Sequence, residues 1–165
     1  MSRGFVRESD QEELPPIPPR APLPPGVPNY VTPRGRDLLV AERRDLEAQM
    51  AAVPTNDEDE RRRSLTVLNA RLAQLQQRIN VTRLVKPGGQ NAEEIRFGAT
   101  INLKMGEEEK TYQIVGVDEA DPARGKLAFT APLAKQLVGL SVGDEIDFWM
   151  DGADRRVAVL GITYI

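Results

Sequence analysis

Apolar residues recur at helical spacing in two stretches of the chain. In the second stretch they step by three and four residues, the spacing of an a/d coiled-coil seam, at Leu65, Leu68, Leu72, Leu75 and Ile79. In the first stretch Leu39 and Leu46 are seven residues apart. The two stripes predict helices that pack against each other as an antiparallel hairpin over residues 32–86.

The expected helix ends follow from local signals. Thr32-Pro33 favours a helix start, because threonine is a good N-cap and proline is tolerated in the first turn. Val53-Pro54 ends the first helix at about Ala52, since the residue before a proline avoids the α region. Thr55 or Asn56 is then expected to cap the second helix.

From residue 95 the apolar positions alternate with polar ones, which is typical of strands. Five short antiparallel strands and one helix, Pro132 to Val138, are predicted, with Asp151-Gly152 as a tight turn. Phe129, Phe148 and Trp149 are expected in the core of this domain. The pattern therefore predicts an α+β protein: an N-terminal antiparallel two-helix coiled-coil hairpin, then an antiparallel sheet with one short helix.

Proline and glycine mark the remaining segments. Nine of the 13 prolines lie in residues 1–33, so residues 1–31 are predicted to be a disordered tail, with a docked recognition segment as the alternative. Pro87-Gly88-Gly89 indicates a linker over residues 87–94, and residues 95–165 form the C-terminal domain.

Composition excludes several kinds of site. The chain has no cysteine and no histidine, which rules out disulfides, Cys/His zinc sites and Ser-His or Cys-His catalytic pairs. No long apolar run or signal-like start is present, so a cytoplasmic protein without a membrane segment is expected. The sequence pI near 5.2 and the lack of a groove-reading motif argue against sequence-specific DNA binding.

Several short sequence motifs, and their order along the chain, resemble those of bacterial transcription elongation factors of the GreA/GreB family. These motifs are Asn29-Tyr30-Val31-Thr32-Pro33-Arg34-Gly35, Arg96-Phe97-Gly98-Ala99-Thr100, Tyr112 to Asp121, Gly125-Lys126-Leu127, Ala131 to Gly139 and Val142-Gly143-Asp144-Glu145. The resemblance implies an FKBP-like C-terminal domain that docks at the rim of the RNA polymerase secondary channel, with the hairpin inserted into it. It also implies docking residues Asp118, Glu119, Asp121, Pro132, Leu133, Lys135 and Gln136.

In this family, acidic residues at the hairpin tip help to hold a catalytic magnesium ion and stimulate cleavage of backtracked transcripts by the polymerase. Here the tip carries Asp57, Glu58, Asp59 and Glu60. Asp57 and Glu60 have the family's i, i+3 spacing, although acids in a first helical turn are also favoured by the helix dipole alone. The only cofactor expected is therefore Mg²⁺ shared with RNA polymerase, and none is expected to be bound permanently.

Seven basic residues follow the acidic tip as far as Lys86. Those nearest the tip, Arg61, Arg62, Arg63 and Arg71, are candidates for contacts with nascent RNA or with the channel wall. An ordinary solvated helix face is the alternative.

The sequence departs from the family at two places. In the segment that corresponds to the family's Ser-Pro-Leu-Ala-Arg-Ala motif, Lys135 replaces the arginine. Lysine keeps the charge but cannot form the bidentate hydrogen bonds of arginine. The family's usual tip motif is absent, and each arm of the hairpin is shorter than in the family by about two turns of 3.6 residues.

We therefore expect a monomeric polymerase-binding regulator that is not itself an enzyme. Three versions remain open: stimulation of transcript cleavage, occupation of the channel without cleavage, and an adaptor for another protein.

Overall fold

The hairpin consists of two helices, α1 at Pro33–Ala51 and α2 at Glu58–Asn80. The computed structural model describes residues 16–86 and 93–165 of the chain. The predicted seam is confirmed, because Leu39, Leu46 and Leu75 are buried together. Leu68, Leu72 and Ile79 pack against this cluster.

Asp57 caps α2, so the expectation of Thr55 or Asn56 at this position is wrong. Asp57 has an extended backbone, and its carboxylate accepts the backbone N–H groups of Asp59 and Glu60 at 3.1 Å each. Aspartate is among the best N-caps, and its charge interacts favourably with the helix dipole. Thr32 caps α1 as expected, since its hydroxyl accepts the N–H of Gly35.

A pair of parallel strands closes the open end of the hairpin. Strand β1 at Asn29–Val31 pairs with β2 at Thr82–Leu84, so α2 ends before residue 86. Asn29 Nδ2 donates to Thr82 Oγ1 at 3.0 Å, and the buried Val31 joins the seam cluster. Residues 29–31 thus belong to the fold rather than to a disordered tail, because their backbone groups and Val31 find partners here. Residues 1–15 of the predicted tail and 87–92 of the predicted linker lie outside the described residues.

The C-terminal domain contains a five-stranded sheet in the order β5-β4-β3-β7-β6. Its strands are β3 Thr100–Met105, β4 Glu108–Val115, β5 Lys126–Ala128, β6 Glu145–Met150 and β7 Ala153–Thr163. The expectation of an entirely antiparallel sheet is wrong at one edge, where β4 and β5 are parallel. The connection between them contains a 3₁₀ turn at Pro122–Arg124, and it returns the chain so that β5 runs in the same direction as β4.

Helix α3 at Pro132–Leu137 packs Leu133, Ala134 and Leu137 into the core of the sheet. The tight turn is confirmed, since Asp151 and Gly152 both have positive φ, 53° and 79°, as a type I′ hairpin requires. Phe129 and Phe148 pack against the core as predicted.

Trp149 does not lie in the core. It is 66% exposed, because Phe148 and its β6 neighbours at alternate positions face inward and side chains alternate between the two faces of a strand. The prediction failed because it assumed that aromatic residues are buried and did not take into account that successive side chains of a strand point to opposite faces.

Aromatic packing joins the base of the hairpin to the C-terminal domain. The ring of Tyr30 in β1 lies 6.0 Å from that of Phe97 and 5.5 Å from that of Phe129, measured between centroids. Gly116, just after β4, approaches the same strand so closely that a Cβ atom there would lie 2.6 Å from the carbonyl oxygen of Tyr30. The chain between β4 and β5 therefore lies directly against β1.

Candidate functional site

Asp118 lies in the loop after β4, at the joint between the C-terminal domain and the hairpin. Its Oδ2 accepts a hydrogen bond from Arg78 of α2 at 3.1 Å, and its Oδ1 accepts one from Arg20 at 2.9 Å. The Asp118 side chain is only 9% exposed, so both oxygens are paired within the chain. Such charge-assisted, partly buried pairs hold geometry more firmly than surface ion pairs.

Glu119 forms a second bond across the joint. It is 7% exposed, and its Oε2 accepts the hydroxyl of Thr32 at 2.5 Å. Gly35 leaves room for this carboxylate, since a Cβ atom there would lie 2.9 Å from Oε2. The start of α1 is therefore bonded directly to the C-terminal domain.

Two of the three acids predicted to dock on a partner are thus used inside the molecule. Asp118 and Glu119 connect the two parts of the chain, whereas the Asp121 side chain is 46% exposed and pairs with Arg124 at 3.5 Å. Among these three acids, Asp121 has the exposure that an external contact requires. Its role in docking stays a prediction.

Arg20, Glu42 and Arg78 complete the joint, and the sequence did not single them out for this role. Arg20 makes two hydrogen bonds to the carboxylate of Glu42 in α1, at 2.7 and 3.0 Å, besides its bond to Asp118. These bonds, with that to Glu42 foremost, raise the pKa of the Arg20 guanidinium above its usual value although partial burial opposes the shift. Arg78 also donates to the carbonyl oxygen of Ala21. One signal was present in the sequence: Arg20 is the only charged residue between Leu14 and Pro25.

The residues of the predicted docking motif lie on two faces of α3, one towards the core and one towards solvent. Leu133 is buried in the core, so its direct contact with a partner is excluded in this conformation. Pro132, Lys135 and Gln136 are exposed. Two exposed valines follow in the chain, Val138 and Val142.

The acidic residues 57–60 are all exposed at the distal end of the hairpin, as predicted. Their carboxylates are partly engaged locally: Asp57 caps α2, and Asp59 pairs with Arg62 at 3.0 Å. Within residues 16–86 and 93–165, no three acidic side chains converge in a way that could hold a metal ion. A magnesium site here would need ligands from a partner, and that shared site stays a prediction.

The basic residues predicted to contact RNA are also exposed, and two of them line a largely apolar groove at the tip. The four are Arg61, Arg62, Arg63 and Arg71. The groove has a volume of about 560 Å³ and is lined by Val53, Pro54, Val67 and Leu68, with Arg63 and Arg71 also in contact with it. Arg63 Nε donates to the carbonyl oxygen of Asp59. The distal end thus presents acids, bases and apolar side chains within about four helical turns of α2.

No helix in the described part of the chain is both long and apolar enough to cross a membrane.

Comparison with known proteins gives one consistent result. Residues 90–164 match the family model described as "Transcription elongation factor, GreA/GreB, C-term". Transcription elongation factor GreA of Paracoccus denitrificans is 35% identical over 106 residues, which are 63% of this chain and 67% of that protein. GreA of Acidiphilium cryptum is 34% identical over 99 residues, 59% of this chain and 63% of that protein. GreA of Methylobacterium sp. (strain 4-46) is 35% identical over 97 residues, 58% of this chain and 61% of that protein.

The matches thus span only about three fifths of the length of the last two relatives. Among solved structures, GreA/GreB from Nitrosomonas europaea is 22% identical, with 82% of this chain and 98% of that chain covered and a TM-score of 0.42. Gfh1 of Thermus thermophilus is 20% identical, with 83% and 99% covered and a TM-score of 0.39.

Proposed function

Because the chain belongs to the GreA/GreB family of transcription elongation factors, we propose that it binds RNA polymerase through its C-terminal domain and regulates elongation by placing its hairpin in the secondary channel. The observation that carries the proposal is the bonded joint between the two parts. Asp118 and Glu119 tie the C-terminal domain to both helices, so docking of the domain would fix the direction of the arm.

The docking surface that we propose is the exposed side of α3, with Asp121 as a further contact. Lys135 and Gln136 are exposed there and can donate hydrogen bonds, while Leu133 supports the helix from the core. Retention of core RNA polymerase by the immobilised protein at low salt tests this proposal. Lys135→Met should weaken retention, whereas Lys110→Met, at an exposed position of β4, should leave it unchanged. If the wild type retains no polymerase, an adaptor for another protein becomes the better explanation.

Two versions of the activity differ in what the tip does. The tip geometry favours occupation of the channel without cleavage, because Asp57 is engaged as a cap and Asp59 is paired with Arg62. The length of α1 agrees with this version: its 19 residues span only about 28 Å at 1.5 Å per residue. In either version the polymerase would supply the chemistry.

A backtracked elongation complex incubated with magnesium separates the two versions. Occupation without cleavage predicts no short 3′ RNA fragments above background. If fragments appear, the double variant Asp57→Asn/Glu60→Gln tests whether the tip carboxylates produce them. Asparagine keeps the cap of α2 while it removes the charge, so loss of fragments could not be ascribed to unfolding of the tip. Glu47→Gln, an exposed position about three quarters of the way along α1, is the matched control.

The basic residues near the tip are proposed to contact nascent RNA or the acidic wall of the channel. Arg61 and Arg62 follow the acidic residues directly and are exposed. A photoreactive amino acid at position 61 should crosslink to RNA or to polymerase in a stalled complex. The same group at position 83, in β2 at the hairpin base, should give no such product.

A further inference from the structure

The segment before β1 crosses the joint between the hairpin and the C-terminal domain. Residues 18–21 line a groove of about 590 Å³ together with Glu42, Leu46 and Asp118. The groove thus has walls from the N-terminal segment, from α1 and from the loop after β4. A segment that only trailed from the fold would not contact all of these elements.

Three ionic or polar contacts close into a ring with this segment, and a fourth contact connects the ring to α1. Glu42 in α1 binds Arg20, Arg20 binds Asp118 in the C-terminal domain, and Asp118 binds Arg78 in α2. Arg78 then donates to the carbonyl oxygen of Ala21, next to Arg20. Together the four contacts join both helices, the C-terminal domain and the N-terminal segment.

We propose that residues 16–21 act as a strap that sets the angle between the hairpin and the C-terminal domain, with Arg20 as its positioning residue. Arg20 suits this role because its planar guanidinium binds two carboxylates on different parts of the fold at once. Its Nε atom is buried without a hydrogen-bond partner. In water this N–H group would be hydrated, so its burial without a partner costs free energy. The hydrogen bonds of the other two guanidinium nitrogens offset that cost and hold the side chain in place.

The position of Glu42 gives the strap leverage. Thr32, which binds Glu119, lies at the start of α1, and Glu42 lies ten residues further along, about 15 Å at 1.5 Å per residue. A tether at that distance from the pivot resists rotation of α1 much better than a bond at the pivot itself. For an arm of about 28 Å, a rotation of about 10° at the base moves the tip by about 5 Å.

The neighbouring prolines make the strap stiff. Prolines flank Arg20 in the segment Pro18-Pro19-Arg20-Ala21-Pro22, and such a segment favours the extended polyproline conformation. Little conformational entropy is then lost when it lies along the joint. This inference goes beyond the proposed function, because the strap defines where the tip points whether or not polymerase is the partner.

The natural absence of cysteine allows a direct distance measurement on the full chain. Spin labels would be placed at Asn56→Cys, at the tip, and Glu107→Cys, in the turn between β3 and β4, both exposed positions. Double electron–electron resonance then gives the distribution of distances between tip and domain. Arg20→Met and Glu42→Met should each shift or broaden this distribution relative to the labelled parent, by about 5 Å for a rotation of about 10° at the base.

A double variant tests the order of the contacts. Arg20 connects Glu42 to Asp118 in series, so cutting either end should have the same effect, and Arg20→Met/Glu42→Met should equal each single variant. Arg36→Met is the matched control, since Arg36 pairs with its neighbour Asp37 in the same helix. Circular dichroism of every variant should show unchanged helix content.

Two results would overturn the proposal. One is a distribution for Arg20→Met that coincides with that of Arg36→Met. The other is a change for Arg20→Met without any change for Glu42→Met, which would show that the contact with α1 does not hold the arm. Because no polymerase is present, these results stand apart from the polymerase-retention experiment, and either proposal can fail alone.

Discussion

Thr32 Oγ1 donates a hydrogen bond to Glu119 Oε2 at 2.5 Å while it accepts the N–H of Gly35 at 3.0 Å. One hydroxyl thus caps α1 and connects it to the C-terminal domain. Both residues are buried, so the bond is shielded from water and its loss leaves a carboxylate oxygen without this donor. The start of the helix and the orientation of the arm therefore depend on the same side chain.

Replacement of Thr32 by valine should destabilise the protein by about 1.5–5 kcal/mol. Loss of a helix cap costs about 0.5–2 kcal/mol, and a buried acceptor left unpaired adds about 1–3 kcal/mol. Urea denaturation measures the free energy of unfolding. Thr32→Ser keeps the hydroxyl and should stay near the wild type; equal losses for both variants would show that the hydroxyl is not the cause.

Gly116→Ala should weaken the contact between β1 and the C-terminal domain. The added Cβ atom would lie 2.6 Å from the carbonyl oxygen of Tyr30, and a backbone atom cannot move aside cheaply. We expect a loss of about 1–3 kcal/mol in the free energy of unfolding, the usual range for overpacking.

Gly161→Ala is the matched control for this substitution. Gly161 lies in β7, and a Cβ atom there would be 3.7 Å from Asn102 Nδ2, an ordinary van der Waals distance. A loss at Gly161 as large as that at Gly116 would contradict the steric explanation.

The elements that sequence alone predicted are those with a strong local period or cap. The seam of Leu68 and Leu75, the cap at Thr32 and the turn at Asp151-Gly152 each depend on neighbouring residues, and all three are as expected. The cap of α2 was misplaced by one or two residues because Thr55, Asn56 and Asp57 are all good N-caps. Local propensity cannot choose among three such neighbours.

The joint was harder to predict because its partners are distant in sequence. Asp118 lies 98 residues from Arg20 and 40 from Arg78, and nothing in the local pattern connects them. Resemblance to a family identified Asp118 and Glu119 as important but assigned them to an external contact. Only the three-dimensional arrangement shows that they connect the arm to the C-terminal domain, so the docking that we propose uses Asp121 and the exposed face of α3 instead.

Trp149, the only tryptophan of the chain, should contribute little to stability. It lies on the solvent-facing side of β6, so Trp149→Thr should change the free energy of unfolding by no more than about 0.5 kcal/mol. Leu137→Ala, in the fully buried part of α3, should lose about 2–5 kcal/mol. Urea denaturation followed by circular dichroism checks both variants, and comparable losses would place Trp149 in the core after all.

Tyr164 should make the protein less stable at alkaline pH. Its hydroxyl donates to the carbonyl oxygen of Glu94 at 2.6 Å and accepts the N–H of Arg96 at 2.9 Å. Burial raises the pKa of the Tyr164 phenol above its usual value of 10.0, although the hydrogen bond from Arg96 opposes the shift. The unfolded chain therefore loses this proton at lower pH than the folded chain does.

The sign follows from that difference. The contribution of Tyr164 is complete below the unfolded pKa near 10 and is lost as the pH rises through that value towards the folded pKa. At about pH 9 the wild type should be more stable than Tyr164→Phe by about 0.5–1.5 kcal/mol, the usual value of one hydrogen bond. Urea denaturation at increasing pH should show this advantage shrinking above pH 10, while other titrating groups affect both proteins alike. A constant or growing advantage would mean that the folded state does not hold the proton of Tyr164 more tightly than the unfolded state.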